Sequence, residues 1–383
     1  MAFQPLSIEL SKILSKDERK ELGIFFTPKN VRDLIFSKLD EIGIDPKNIL
    51  EPSCGSGEFL QDLERYENIE NVVGIEFNKK IYDSVKSVYD KYTIINQDFL
   101  QYKSERKFDL IIGNPPYFVT EIKNKDCMSG KGNIFVLFIY KCITEHLSKR
   151  GVLAFVLPTS FYNSKYYEPC RRYIYENNTI LHVENVKAKY IDTNQDTMIL
   201  ILMNKKSLSN NYFVSTVSNL IISPYYKELK SLMSESTTIA SLGGSVKTGE
   251  VVWNQHKEKL NDREGMLIIY SSNIVDNKLE LNNLGGEKKQ FIVNYHKQPC
   301  KGPCIVISRG YGNNFKFNYV LIDEHTEFFG ENHVNIITHK DKSVLEKIFK
   351  SIQDNRTEKF IKYYTGNGAL SKTELETIFP IFV

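Results

Sequence analysis

Apolar residues along this chain fall into short unbroken runs, separated by segments in which they recur every three or four positions. The runs Asn48-Ile49-Leu50, Val72-Val73-Gly74-Ile75, Thr93-Ile94-Ile95-Asn96, Leu110-Ile111-Ile112-Gly113 and Val152-Leu153-Ala154-Phe155-Val156-Leu157 have the length of strands buried on both faces. Between them, Ile81 to Tyr89 and Phe135 to Leu147 carry the three-to-four spacing of helices. Such alternation predicts an α/β fold with a doubly wound, largely parallel sheet, which the runs Ile180 to Val186 and Thr197 to Met203 would complete. After Met203 the alternation fades into Asn204 to Asn211, rich in Lys, Ser and Asn, so a boundary is placed there: a first domain over 1–204 and an irregular α+β module over 205–383. No internal repeat or low-complexity tract interrupts either part.

Composition narrows the class only a little. With 383 residues, 41% hydrophobic and 25% charged, the chain has the size and make-up of a two-domain globular protein. No apolar run approaches the roughly 18 residues of a membrane span, and Met1 to Leu14 lacks the pattern of a secretory signal, so a cytosol-like compartment and no membrane partner are expected. Six scattered cysteines do not make a disulfide framework, and Cys300 and Cys304 lack a second Cys or His pair at zinc spacing, so no metal is expected. The net charge is +3; residues 205–383 hold 23 Lys+Arg against 19 Asp+Glu, leaving 27 against 28 in residues 1–204. The second part is the mildly basic one, which a solvated surface explains as well as a polyanionic partner does.

Chemistry first shows at Glu51-Pro52-Ser53-Cys54-Gly55-Ser56-Gly57, a strand running into a turn and then a helix. Gly55 and Gly57 let the backbone pass close to a ligand where a Cβ would intrude. Glu76, nineteen residues beyond Gly57 at the end of the next strand, is placed to accept hydrogen bonds from both hydroxyls of a ribose. A dinucleotide site would use similar features, but the third glycine of G-x-G-x-x-G is missing and no basic residue in the turn meets a phosphate. The carboxylate of Glu51 suits a cationic, methionine-like group better. Asp98, ending the run Thr93 to Asn96, can bond an adenine amino group while Phe99 packs on the purine.

Asn114-Pro115-Pro116-Tyr117 follows the apolar run that ends in Gly113. The two prolines stiffen the loop and remove two amide donors. The Asn114 side-chain oxygen and the Pro115 carbonyl can then both accept from one planar NH2 group, drawing its nitrogen toward tetrahedral geometry so that the lone pair can attack a methyl group. Tyr117 offers a face on which a planar base stacks.

In their order, these residues resemble the gamma class of N6-adenine DNA methyltransferases, the family of the TaqI-type modification enzymes. The resemblance covers about the first 204 residues. Gly23-Ile24-Phe25-Phe26-Thr27-Pro28, ahead of the glycine turn, looks like that family's N-terminal cofactor motif, and its position marks the gamma order. The resemblance implies a Rossmann-like methyltransferase sheet and the cofactor S-adenosylmethionine, released as S-adenosylhomocysteine. It implies that Phe26, Thr27, Pro28, Glu51, Pro52, Ser53, Cys54, Gly55, Gly57, Glu76, Phe77, Asp98, Phe99, Asn114 and Pro116 hold that cofactor. Asn114, Pro115, Pro116 and Tyr117 would hold a flipped-out adenine, with Tyr190 as the second aromatic of the sandwich. The second part resembles, more loosely, the target-recognition domains of type II adenine methyltransferases. Its polar loops Lys247 to Lys257, Ser308 to Asn314 and Thr365 to Leu370 suit contacts to double-stranded DNA, with Lys257, Arg309 and Asn313 as the candidates.

The same loop also serves enzymes that methylate a glutamine amide of protein release factors, and others that act on rRNA. Those glutamine enzymes carry a helical domain before the glycine turn and little after the sheet, the reverse of what is found here. With no nuclease domain evident, the expected role is a stand-alone modification enzyme, either the partner of a separate restriction endonuclease or an orphan.

Overall fold

The apolar runs form one sheet, its inner strands buried on both faces and its edge strands Thr93–Asn96 and Thr179–Val186 only in part. In the computed structural model, which describes residues 3–21, 23–187, 196–207, 209, 211–281, 284–310, 316–364 and 369–382, the strands are β1 (Asn48–Glu51), β2 (Asn71–Glu76), β3 (Thr93–Asn96), β4 (Phe108–Gly113), the two-residue β5 (Val119–Thr120) and β6 (Gly132–Asn133), β7 (Leu147–Pro158), β8 (Thr179–Val186) and β9 (Thr197–Met203). Seven of them make a sheet in the order β3-β2-β1-β4-β7-β9-β8. The first five in that order are parallel, while β9 is antiparallel to both β7 and β8. Successive side chains of a strand point to opposite faces. Ile49, Leu110, Ile112, Val152, Ala154 and Val156 accordingly join one core, and Leu50, Ile111, Leu153, Phe155 and Leu157 the other.

Helices cover both faces. They are α1 (Pro5–Ile13), α2 (Lys16–Glu21), α3 (Lys29–Ile42), α4 (Glu58–Asp62), α5 (Lys79–Val88), α6 (Ile134–Lys141) and α7 (Glu168–Asn177). Val31, Ile35, Phe36 and Leu39 of α3 pack with Phe59 and Leu60 of α4 and Val85 of α5 on one side. Phe135 to Ile139 of α6 with Cys170 and Ile174 of α7 fill the other. The sequence predicts helix through Leu147; the chain instead passes at Cys142–His146 into one π-helical turn and Leu147 already begins β7.

The chain divides into two compact units, 1–215 with 219–226, and 216–218 with 227–383. The loss of alternation after Met203 marks the end of β9, but most of residues 205–226 still pack with the first unit. One reason is Arg171, fully buried on α7, which donates to the Leu220 carbonyl (2.6 Å) and to Asn219 Oδ1 (2.8 Å). The second unit is α+β. It holds a four-stranded antiparallel sheet (Ser245–Thr248, Val334–Thr338, Cys304–Ser308, Tyr319–Ile322 in spatial order) and a five-stranded mixed sheet centred on Met266–Ile269. Helices Lys342–Ile352, Asn355–Tyr364 and Lys372–Thr377 follow. All six cysteines are buried and free, and no helix among the described residues is long and apolar enough to cross a membrane.

Gly57 precedes α4 in the left-handed region (φ +78°), and a Cβ there would lie 2.4 Å from the ring of Tyr89. Gly57→Ala is expected to lower the free energy of unfolding by about 3 kcal/mol, from the backbone and the clash together. Gly55→Ala, at φ +51° with open space beside it, should lose only about 1 kcal/mol. Equal losses in chemical denaturation would show that the Tyr89 contact does not constrain the turn.

Candidate active site

The carboxyl ends of β1, β2, β3 and β4 open into one cavity, at the point where the strand order reverses between β1 and β4. Pro52, Ser53 and Gly55 line it from the glycine turn, Glu76, Phe77 and Asn78 from the end of β2, and Gln97, Asp98 and Phe99 from the end of β3. Asn114, Pro116 and Phe118 reach it from beyond β4, Gly23 to Phe26 from the N-terminal segment, and Ile134 and Phe138 from α6. None of these lining residues is basic.

Glu76 owes its orientation to two backbone donors. The Gly55 N–H binds one carboxylate oxygen (3.0 Å) and the Asn78 N–H the other (2.7 Å). Asn78 in turn caps α5, its Oδ1 accepting from the Lys80 and Ile81 amides. Burial pushes the Glu76 carboxyl up to about 7, against the pull of those amides. Phe77 projects beside it, 65% exposed. Asp98 starts a 3-10 turn, accepting from the Leu100 amide (2.9 Å), and Phe99 is buried against Phe138, 4.8 Å between ring centroids.

Glu51 is deeper. It is 2% exposed, and its Oε2 has no hydrogen-bond partner among the described residues. Burial, and then the negative charge of Glu58, hold its carboxyl well above the ordinary carboxylate range. Cys54, likewise buried, has its thiol raised by burial and then by Glu51. Glu51, Cys54, Gly57, Thr27, Pro28, Pro115 and Tyr117 do not line the cavity wall.

Asn114 is bracketed by the N-terminal segment. Its Nδ2 donates to the Phe25 carbonyl (3.2 Å) and the Thr27 hydroxyl (3.1 Å), while its Oδ1 accepts from the Tyr117 hydroxyl. The Tyr117 hydroxyl also lies 2.8 Å from the Val156 carbonyl, and the Tyr117 ring stacks on Phe25 at 5.8 Å. Ser53 Oγ donates to the Asn114 carbonyl (3.3 Å). The site is therefore acceptor-rich: carboxylates at one end, and an asparagine oxygen with a proline-flanked loop at the other.

Sequence reasoning passed over the residues behind this wall. Gln4 donates to the Gly57 carbonyl (3.0 Å) and accepts from Tyr89 (2.9 Å). Ser7 meets Ser56 Oγ (2.8 Å) and bonds Glu58. Arg32, 3% exposed on α3, pairs with Glu58 and with Asp62 (2.7 Å) and donates to the Thr27 carbonyl (2.7 Å). The available signal was its spacing: Arg32 sits among Val31, Ile35 and Phe36 on the apolar face of α3. Of the remaining candidates, Tyr190 and Asn313 lie outside the described residues. Lys257 is exposed, pairs with Glu287 and lies 5.8 Å from the Trp253 ring centroid. The Arg309 amide bonds the His333 carbonyl (2.9 Å), and the Arg309 carbonyl takes the Leu370 amide (3.0 Å).

The doubly wound sheet, with a cavity at its switch point, is a Rossmann-like fold of the kind that binds a ligand there. Residues 56–191 match the Eco57I restriction-modification methylase family. Along 99% of both chains, the sequence is 34% identical to the type II methyltransferase M.CvrRI of Paramecium bursaria Chlorella virus XZ-6E. It is 29% identical to the modification methylase CviBIII of Paramecium bursaria Chlorella virus NC1A, again over 99% of both, and 24% identical to the type II methyltransferase M.AccI of Acinetobacter calcoaceticus, over 94% of this chain and 67% of that one. The chain belongs to the type II DNA methyltransferase family.

Removing Arg32 tests whether the buried pair supports the site. Arg32→Met leaves Glu58 buried without its cation and is expected to lower stability by about 3 to 5 kcal/mol near pH 8. Burial already raises the Glu58 carboxyl, so without Arg32 it takes up a proton readily and the loss should shrink toward pH 5. A loss under about 1 kcal/mol at both pH values would show that the pair carries no such weight.

Proposed function

We propose that this protein transfers a methyl group from S-adenosylmethionine to the N6 amino group of an adenine flipped out of duplex DNA. The observation that carries this reading is the single cavity running from Glu76, Phe77 and Asp98 to Asn114 and Pro116, in a chain related over its full length to DNA modification methylases.

The residues present fit that cofactor. Glu51 does not line the cavity itself, but it ends β1 directly behind Pro52 and Ser53 of the wall, and its buried Oε2, unpartnered among the described residues, suits the cationic methionine end. Glu76, fixed by two amides, keeps acceptor capacity for ribose hydroxyls. Asp98, Phe77 and Phe99 offer an acceptor and two aromatic rings for the adenine. None of the described lining residues is Lys or Arg, which disfavours a phosphate-bearing cofactor instead. When bound, S-adenosylmethionine supplies an electrophilic methyl group.

The chain's own work is to prepare the amino nitrogen. Asn114 Oδ1 and the Pro115 carbonyl accept from the two N–H bonds, so the lone pair is no longer spread into the purine ring. For the base to enter, the Tyr117 hydroxyl has to release Asn114 Oδ1. The Val156 carbonyl, 2.8 Å away, can receive its proton instead, so the exchange leaves no hydroxyl unpaired. The recognition loops of the second unit, with Lys257 and Arg309, would contact the duplex, and Asn313 and Tyr190 keep the roles the resemblance implies.

DNA from cells expressing the protein should contain N6-methyladenine in a short sequence context, and Asn114→Ala should abolish it while binding S-adenosylhomocysteine nearly as well. Methyl groups found on a protein glutamine and absent from DNA would sink the proposal. The pH dependence of cofactor binding follows from Glu76. Its pKa is raised, so in the cofactor-free protein it is largely neutral below about 7 and ionised above. Ribose hydroxyls favour the ionised form, so affinity should hold constant above pH 7 and weaken by up to about tenfold per unit below it. Glu76→Gln should bind more weakly and flatten the curve in a calorimetric titration.

A further inference from the structure

The element ahead of the glycine turn is expected, by resemblance, to touch the cofactor. Its geometry gives Thr27 a different task. The residue is 2% exposed, it does not line the cavity, and its hydroxyl lies 3.1 Å from Asn114 Nδ2. The Phe25 carbonyl lies 3.2 Å from the same nitrogen. A carbonyl can only accept, so the NH2 end of the Asn114 amide must face Phe25 and Thr27, and its oxygen must face the other way, toward Tyr117. Two N–H bonds meet two acceptors.

We infer that Thr27 is a positioning residue that acts through Asn114: its hydroxyl, with the Phe25 carbonyl, fixes the amide so that Oδ1 faces the incoming amino group. The inference rests on the catalytic reading of Asn114 proposed above. An asparagine that flipped would present NH2 to the substrate's NH2, donor against donor, and could not draw out the lone pair. One acceptor alone holds the amide less firmly than two.

Two further contacts show that the bracket is built rather than incidental. The Thr27 carbonyl takes a bond from Arg32 (2.7 Å), whose other partners, Glu58 and Asp62, stand on the helix behind the glycine turn. Gly23, at φ +62°, brings the N-terminal segment so close that a Cβ would lie 2.8 Å from the Tyr117 amide nitrogen. The segment is thus pressed against the catalytic loop at one point and anchored to the cofactor loop at another.

The test compares full-length Thr27→Val, Thr27→Ala, Thr27→Ser and Asn114→Ala in single-turnover methylation of unmodified genomic DNA, with S-adenosylhomocysteine affinity and thermal midpoint measured for each. Valine keeps the shape and removes the acceptor. The methylation rate of Thr27→Val should fall about 10- to 100-fold, with cofactor affinity within about twofold, and serine should restore the rate to within about threefold. Alanine gives the same reading should valine fail to fold. An unchanged rate would overturn the inference. So would a cofactor affinity that falls in step with the rate, which would return Thr27 to cofactor binding, or a serine variant as slow as valine, which would make bulk the cause. Asn114→Ala separates the two levels: activity retained there removes the catalytic reading and this inference with it. An inactive Asn114→Ala beside a fully active Thr27→Val removes this inference alone.

Discussion

The guanidinium of Arg32 is the point on which the first unit's active side depends. It is buried, and it is shared by Glu58, Asp62 and the Thr27 carbonyl. Two of these partners belong to the helix that follows the glycine turn, and the third belongs to the segment that brackets Asn114. Buried charges are tolerated where each finds partners and are costly where one is missing. Arg32 therefore cannot shift alone: moving α3 would strand Glu58, which also bonds Ser7 of α1. The result is that α1, α3, the glycine turn and the asparagine loop are held as one piece beside the carboxyl ends of β1 and β4.

What the sequence made legible was whatever is local. Strands buried on both faces leave unbroken apolar runs, so β1, β2, β4 and β7 could be read directly, and the antiparallel β8 and β9 as well. The chemical residues at strand ends follow from the strands: Glu76, Asp98 and Asn114 each stand just at or after the last residue of one. The brackets behind them were not legible, because Arg32 with Glu58, Ser7 with Ser56, and Thr27 with Asn114 are joined across 26 to 87 residues of chain. No spacing rule spans such distances. The boundary near residue 204 shows the same limit. The alternation does end there, yet Arg171, an arginine buried by three acceptors among Phe161, Asn219 and Leu220, draws the chain back into the first unit.

The site's electrostatics point in one direction. Glu51, behind the cavity wall, and Glu76, on it, are buried carboxyl groups whose charged forms burial opposes, and none of the described lining residues is basic. Two amide donors offset part of that cost for Glu76; Oε2 of Glu51 has no such donor. A fold selected for stability alone would neutralise or remove these groups. Retaining them makes sense if a ligand completes them, since a cation or a pair of hydroxyls gains most where the protein has left acceptors unpaired.

The same logic extends to the far end of the cavity. Prolines at 115 and 116 contribute no backbone N–H, the Asn114 NH2 is turned away toward Phe25 and Thr27, and its Oδ1 points the other way, toward the Tyr117 hydroxyl. On the proposed reading, once Tyr117 releases that oxygen, a carbonyl or phosphate approaching it would meet like partial charge, whereas an amino group would find acceptors there and at the Pro115 carbonyl. Selection for an NH2 substrate, on that same reading, thus does not rest on Asn114 as a residue type. It rests on which end of its amide is tied down, and the ties come from a segment some ninety residues earlier in the chain.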